Sequence, residues 1–145
     1  MKHTFENDVE SKVMDLTISG IFPDYLHAMK VVNTNNYDYN CWSLTANLLG
    51  LSEKIEWFYE YEMQNILSHY TCEVDQPDIG DIVSFTWSPT GELLHTAIVC
   101  DKIPKDFVII HKDGEDPIRI EKLKSAIRET YLKDTNVRYH RITRR

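Results

Sequence analysis

Long apolar runs are missing from this sequence, and no segment could span a bilayer. The first ten residues, Met1-Lys2-His3-Thr4-Phe5-Glu6-Asn7-Asp8-Val9-Glu10, are acidic where a secretory signal needs an apolar stretch. The expectation is a protein that starts out cytoplasmic, without a membrane partner. Positive charge is also scarce: 16 Lys and Arg stand against 23 Asp and Glu, a net charge of −7. Nucleic acid is therefore not an expected partner, because phosphate binding draws on clustered cations. Only Arg141-Ile142-Thr143-Arg144-Arg145 is locally basic, and it reads as a solvated end. The five glycines form no phosphate loop. Three cysteines, Cys41, Cys72 and Cys100, cannot all pair, so at least one thiol is free. No Cys-x-x-Cys or His-x-x-x-His spacing occurs, so neither a metal nor a cofactor is expected. Repeats and linkers are absent too, and the 145 residues are expected to form one domain, 1–145.

What is present changes character halfway along. Asp8 to Ser19 reads as a helix, Pro23 as the first residue of a second running to Val32, and Asn33-Thr34-Asn35-Asn36 as a polar break. Leu44 and Leu48 share a helical stripe with Cys41, and Gly50 is placed to stop that helix. Another helix is expected from about Ser52 to His69. Beyond Pro77, the β-branched and aromatic segments Asp81 to Trp87, Leu93 to Cys100, Phe107 to Lys112 and Ile118 to Ile120 read as antiparallel strands. A helix from Glu121 to Leu132 and an edge strand from Val137 to Ile142 follow. The class is α+β, with helices on one face of an antiparallel sheet.

Cys41 is the first residue with chemical promise. Asn40 is a plausible N-cap, which puts the cysteine at a helix amino terminus, where unpaired N–H groups and a partial positive charge favour a thiolate and face an oxyanion. In Leu93-Leu94-His95-Thr96-Ala97-Ile98-Val99, period-two alternation sets His95 on the face of Leu93, Ala97 and Val99. One strand on, His111 shares the face of Phe107 and Ile109. Histidines on neighbouring strands can stand side by side, one taking a thiol proton while the other orients its ring. Packing alone is the alternative for each of the three residues. His3, His27, His69 and His140 default to the surface; Cys72 falls in a loop, and Cys100 ends a strand on the face opposite His95.

The ordered set of Cys41 at a helix start, Gly80-Asp81-Ile82-Val83-Ser84-Phe85, Leu94-His95-Thr96-Ala97-Ile98-Val99 and Val108-Ile109-Ile110-His111 resembles the NlpC and CHAP group of papain-like cysteine peptidases and amidases. The resemblance covers about Asn40 to Ile120, with 54 residues from Cys41 to His95 and 16 from His95 to His111. It implies a papain-like fold, Cys41 as nucleophile, His95 as base and later acid, and His111 as the orienting residue. By the offset seen before the papain helix it also implies Asn35 as a second oxyanion donor, with Asn36 and Tyr37 close by. Asn40-Cys41-Trp42-Ser43 departs from the Asp-Cys-Ser-Gly of many members. The implied substrate is a peptide or peptidoglycan fragment. Such an enzyme is exported by a dedicated secretion system, delivered by phage, or active in a cytosol, and an inhibitor or immunity protein is a natural partner. A glutamine deamidase or acyltransferase would use the same residues. A catalytically inactive binding module would keep them for packing.

Overall fold

The computed structural model describes residues 5–129 and 134–145. Helices α1 (Phe5–Ile18), α2 (Tyr25–Val32), α3 (Cys41–Leu48) and α4 (Glu60–Tyr70) come first. Strands β1 (Thr71–Val74), β2 (Ile82–Trp87), β3 (Glu92–Ile103), β4 (Asp106–His111) and β5 (Arg119–Lys122) follow, then α5 (Leu123–Glu129) and β6 (Thr135–Ile142). The strands form one antiparallel sheet in the order β1-β6-β2-β3-β4-β5. The fold is α+β.

Alternation along the strands sends apolar side chains to both faces. On one face, Ile82, Leu93, Ile98, Cys100 and Ile110 pack with Val13, Leu16, Val31, Leu44, Leu48 and Met63 of the first four helices. On the other, Val83, Phe85, Ala97, Val99 and Ile109 pack with Leu123 and Ala126 of α5. Helices therefore cover both faces, where the sequence pointed to one.

Several boundaries differ from the sequence reading. Pro23 lies outside α2, which Asp24 caps by accepting from the His27 N–H at 3.1 Å. The helix expected from Ser52 begins only at Glu60. Upstream of it, Phe58 exchanges both backbone groups with the Asn40 amide and the Trp57 indole donates to the Tyr37 carbonyl, ties that hold this segment extended. The predicted helix from Glu121 is strand as far as Lys122 and helix from Leu123; Thr130 to Leu132 lie outside the described residues. Cys72 is in strand β1, not a loop, and β3 runs on past Cys100 to Ile103. Strand β6 is not an edge: its half-buried alternation reflects β1 pairing along its outer side, with Thr71 opposite Ile142. The basic tail is tied down, with Arg145 Nε donating to the Leu49 carbonyl at 2.7 Å and Arg144 Nε to His69 at 3.1 Å. His27 is also engaged, its Nε2 lying 2.7 Å from Asn47 Oδ1 and joining α2 to α3.

Helix α3 ends as its sequence predicts. Gly50 adopts φ +75°, and the N–H groups of Gly50 and Leu51 return to the carbonyls of Asn47 and Ala46. A β-carbon on Gly50 would meet Pro23 Cγ at 2.5 Å, so both conformation and space require glycine.

Candidate active site

Asn40 fixes the start of α3. Its Oδ1 accepts from the backbone N–H groups of Ser43 and Phe58, at 3.2 and 3.3 Å, and its Nδ2 donates to the Phe58 carbonyl at 3.0 Å. Cys41 is then the first helical residue, and its N–H and that of Trp42 belong to the unpaired first turn. The helix docks on β3 through Thr45, whose hydroxyl lies 2.9 Å from that of Thr96; the Thr96 hydroxyl also donates to the Cys41 carbonyl at 3.4 Å. The β3–β4 ladder starts at Ile98 and Ile110, so this end of β3 is left for α3 to cover.

A bulge sets the histidine. Phe85 pairs with His95 but Thr86 pairs with Leu93, which makes Leu94 the extra residue. Consequently Leu93 packs on the side of the first four helices, while His95 stays with Phe85, Ala97 and Val99 on the other; the expectation that Leu93 and His95 share a face is corrected. His111 ends β4 one residue beyond the Ile98–Ile110 pair, on the face of Ile109, and reaches His95 diagonally. The two imidazoles meet edge to face, with His95 Nε2 2.7 Å from His111 Nδ1.

The chain of contacts continues into residues that sequence reading missed. His111 Nε2 is 2.6 Å from Glu121 Oε2 on β5. Arg119 NH2 sits 2.6 Å from Asp113 Oδ2 and 3.1 Å from Glu121, and Asp113 Oδ1 is 3.6 Å from His95 Nε2. Alternation in Arg119-Ile120-Glu121 was the available signal, since it puts both charged groups on one face of a short strand. In the tautomer with a single proton on His111, at Nε2, that proton points at the Glu121 carboxylate, His111 Nδ1 accepts, and His95 Nε2 donates. The lone pair of the relay then resides on Nδ1 of His95.

Burial controls the protonation states. His95 and His111 are each only 1% exposed. Burial pushes His95 down to about 3, aided by the neighbouring His111, so the imidazole is neutral at pH 7. Burial likewise pushes the Cys41 thiol up to about 12, outweighing the N–H groups of Thr96, Trp42 and Cys41 that act the other way. The helix start alone does not give a resting thiolate here. Glu121 is held below the usual carboxylate range, chiefly by its hydrogen bond to His111.

Lys112, which follows the second histidine, is fully buried. Its ammonium donates to the carbonyls of Asn36 at 2.5 Å, Tyr39 at 2.9 Å and Gly114, and lies 4.8 Å from the Tyr39 ring centroid. It clamps the segment before Cys41 to the loop after His111. Burial lowers its pKa.

Cys41 and His95 line one cleft of about 750 Å³. Asn40, Trp42 and the segment Trp57 to Glu60 form one wall; Leu94, Asp113, Gly114, Asp116 and Arg119 form the other. Asn35 is elsewhere. Its amide oxygen caps the 3-10 turn Asn36–Asp38 by accepting from the Tyr37 N–H at 2.9 Å, and it lines a separate pocket with Asn36, Val9 and Ile118. The turn consumes the side chain that the papain offset would send to the oxyanion. Among the three predicted relay residues, Cys41 and His95 share the cleft and His111 backs His95 from behind.

No family model matches the chain, no curated protein is significantly similar to it, and no solved structure is significantly similar to its fold.

Proposed function

We propose that the protein is a cysteine-dependent amide hydrolase of papain-like arrangement, acting most naturally on a peptidoglycan stem peptide. The observation that carries this reading is the Cys41 thiol at a helix start sharing a cleft with His95, whose Nε2 is engaged by His111, which Glu121 engages in turn. Because both groups rest neutral, the thiol is deprotonated during attack: Nδ1 of His95 takes the proton as sulfur bonds to the carbonyl carbon. The backbone N–H groups of Cys41 and Trp42 receive the oxyanion. His95 returns its proton to the leaving amine, and water, activated by the same nitrogen, hydrolyses the thioester.

The test is mass-spectrometric analysis of muropeptides and of glutamine-containing proteins after incubation with wild type, Cys41→Ala and His95→Ala. The expected result is release of a stem-peptide fragment by wild type, loss of turnover in Cys41→Ala, and a fall of about 100-fold or more in His95→Ala. Ammonia release without peptide cleavage would move the reading to a deamidase. Cys100 supplies an internal control, since burial pushes its thiol up to about 12 as well and it lies outside the cleft. If no amide is turned over and Cys41 alkylates no faster than Cys100, the site is that of an inactive binding module.

A further inference from the structure

The relay also has the donor set of a metal chelate. His95 Nε2, His111 Nδ1 and one carboxylate oxygen of Asp113 all lie within 4.8 Å of one another. From these atoms we infer that the protein binds a zinc-class divalent ion through His95, His111 and Asp113, and that the bound ion switches the candidate hydrolase off.

Tetrahedral zinc with bonds near 2.0–2.1 Å sets its ligand atoms ~3.3 Å apart. The contacts of 2.7 Å between the ring nitrogens and 3.6 Å from His95 to Asp113 bracket that spacing, and the third pair lies within 4.8 Å, so the side chains must move only by about an ångström to meet one ion. The surroundings match as well. A metal-bound histidine ordinarily gives its other N–H to a carboxylate, and His111 Nε2 already meets Glu121 at 2.6 Å. Two carboxylates, Asp113 and Glu121, stand at the site, both within reach of the Arg119 guanidinium. Two imidazoles and one carboxylate favour zinc or cobalt over magnesium or calcium, which prefer oxygen. The cleft beside His95 gives the ion a route in and room for water as the fourth ligand.

Inhibition follows from proton bookkeeping and rests on the proposed hydrolase reading. Coordination takes the lone pair of His95 Nε2, so the proton on that nitrogen moves to Nδ1. His95 remains neutral, no proton is released, and Nδ1 no longer has a lone pair with which to accept the thiol proton. Nothing is oxidised or reduced.

The experiment is titration of the chelator-treated whole protein with Zn²⁺ against a chromophoric competitor, with Co²⁺ visible and X-ray absorption spectra and with Mg²⁺ as control. One ion per chain with nitrogen and oxygen ligands is expected in both wild type and Cys41→Ala. Affinity is expected to fall 10- to 100-fold in Glu121→Gln and further in Asp113→Asn, with circular dichroism confirming folded variants. Sulfur ligation, failure to bind one equivalent, or affinity unaltered in Asp113→Asn would overturn the site. Where metal-free enzyme turns over, zinc should suppress that turnover and a chelator restore it; persistence of activity with the ion bound would overturn the switch. A protein that binds zinc as described but never hydrolyses an amide would sink the hydrolase reading and the switch with it, while the metal site, read spectroscopically, stands.

Discussion

A histidine inside a sheet either sheds its proton or acquires a counter-charge, and His140 on β6 has taken the first course. Its Nε2 lies 2.7 Å from the buried Ser84 hydroxyl, and burial pulls its pKa below the ordinary 6.5. Above that value the folded and unfolded chains both hold it neutral. As pH falls below it, the unfolded chain takes up a proton that the native state refuses, so stability declines toward the folded pKa. His95 acts with the same sign. The melting temperature in chelator-containing buffer should drop on acidification from pH 6.5, and drop less steeply in His140→Gln. Cys41, His95 and His111 were legible in the sequence because each is a reactive side chain at a periodic position where an apolar residue is expected. Asp113 and Lys112 were not, because their roles depend on where a loop carries them.

At the scale of elements, legibility followed local determinants. The start of α3 was readable from Asn40, and its end from Gly50, because caps act within one turn. The false helix before Glu60 arose because Ile55, Trp57 and Phe58 have apolar spacing, whereas the Phe58 backbone is claimed by the Asn40 amide 18 residues away and the Trp57 indole by the Tyr37 carbonyl. Strand β1 is only four residues long and exists through its pairing with β6, which no local pattern announces. Asn40 thus serves two elements. Asn40→Ala should remove the cap and both ties to Phe58, lowering unfolding free energy by about 1–2 kcal/mol in urea titration. A loss within experimental error would show that α3 is held by docking on β3 alone.

For the whole molecule, the decisive feature is the interior position of β6. A chain ending at Asp134 lacks the strand that bonds both β1 and β2, and should show neither a cooperative melt nor a near-ultraviolet dichroism signal. A chain ending at Ile142 keeps the ladder, loses only the ties of the basic tail, and should melt cooperatively at a lower temperature. The α+β class was readable from the order of helical and strand-like segments; the covering of both faces was not, because the helix expected after Ile120 carries no local sign of the sheet face on which it packs. The Lys112 clamp, which reaches Asn36 across 76 positions and Tyr39 across 73, draws attention to how the chain divides the labour. Cys41 and the Trp57 to Glu60 wall precede the loop between β1 and β2, whereas every relay group follows it. Cutting the backbone in that loop would leave Cys41 and His95 on separate fragments, held together without a covalent link by the β1–β6 ladder, the core between the first four helices and the sheet, the ties of the basic tail and the buried ammonium. On the proposed hydrolase reading, turnover would then count reassembled pairs, making the protein a split reporter of its own complementation.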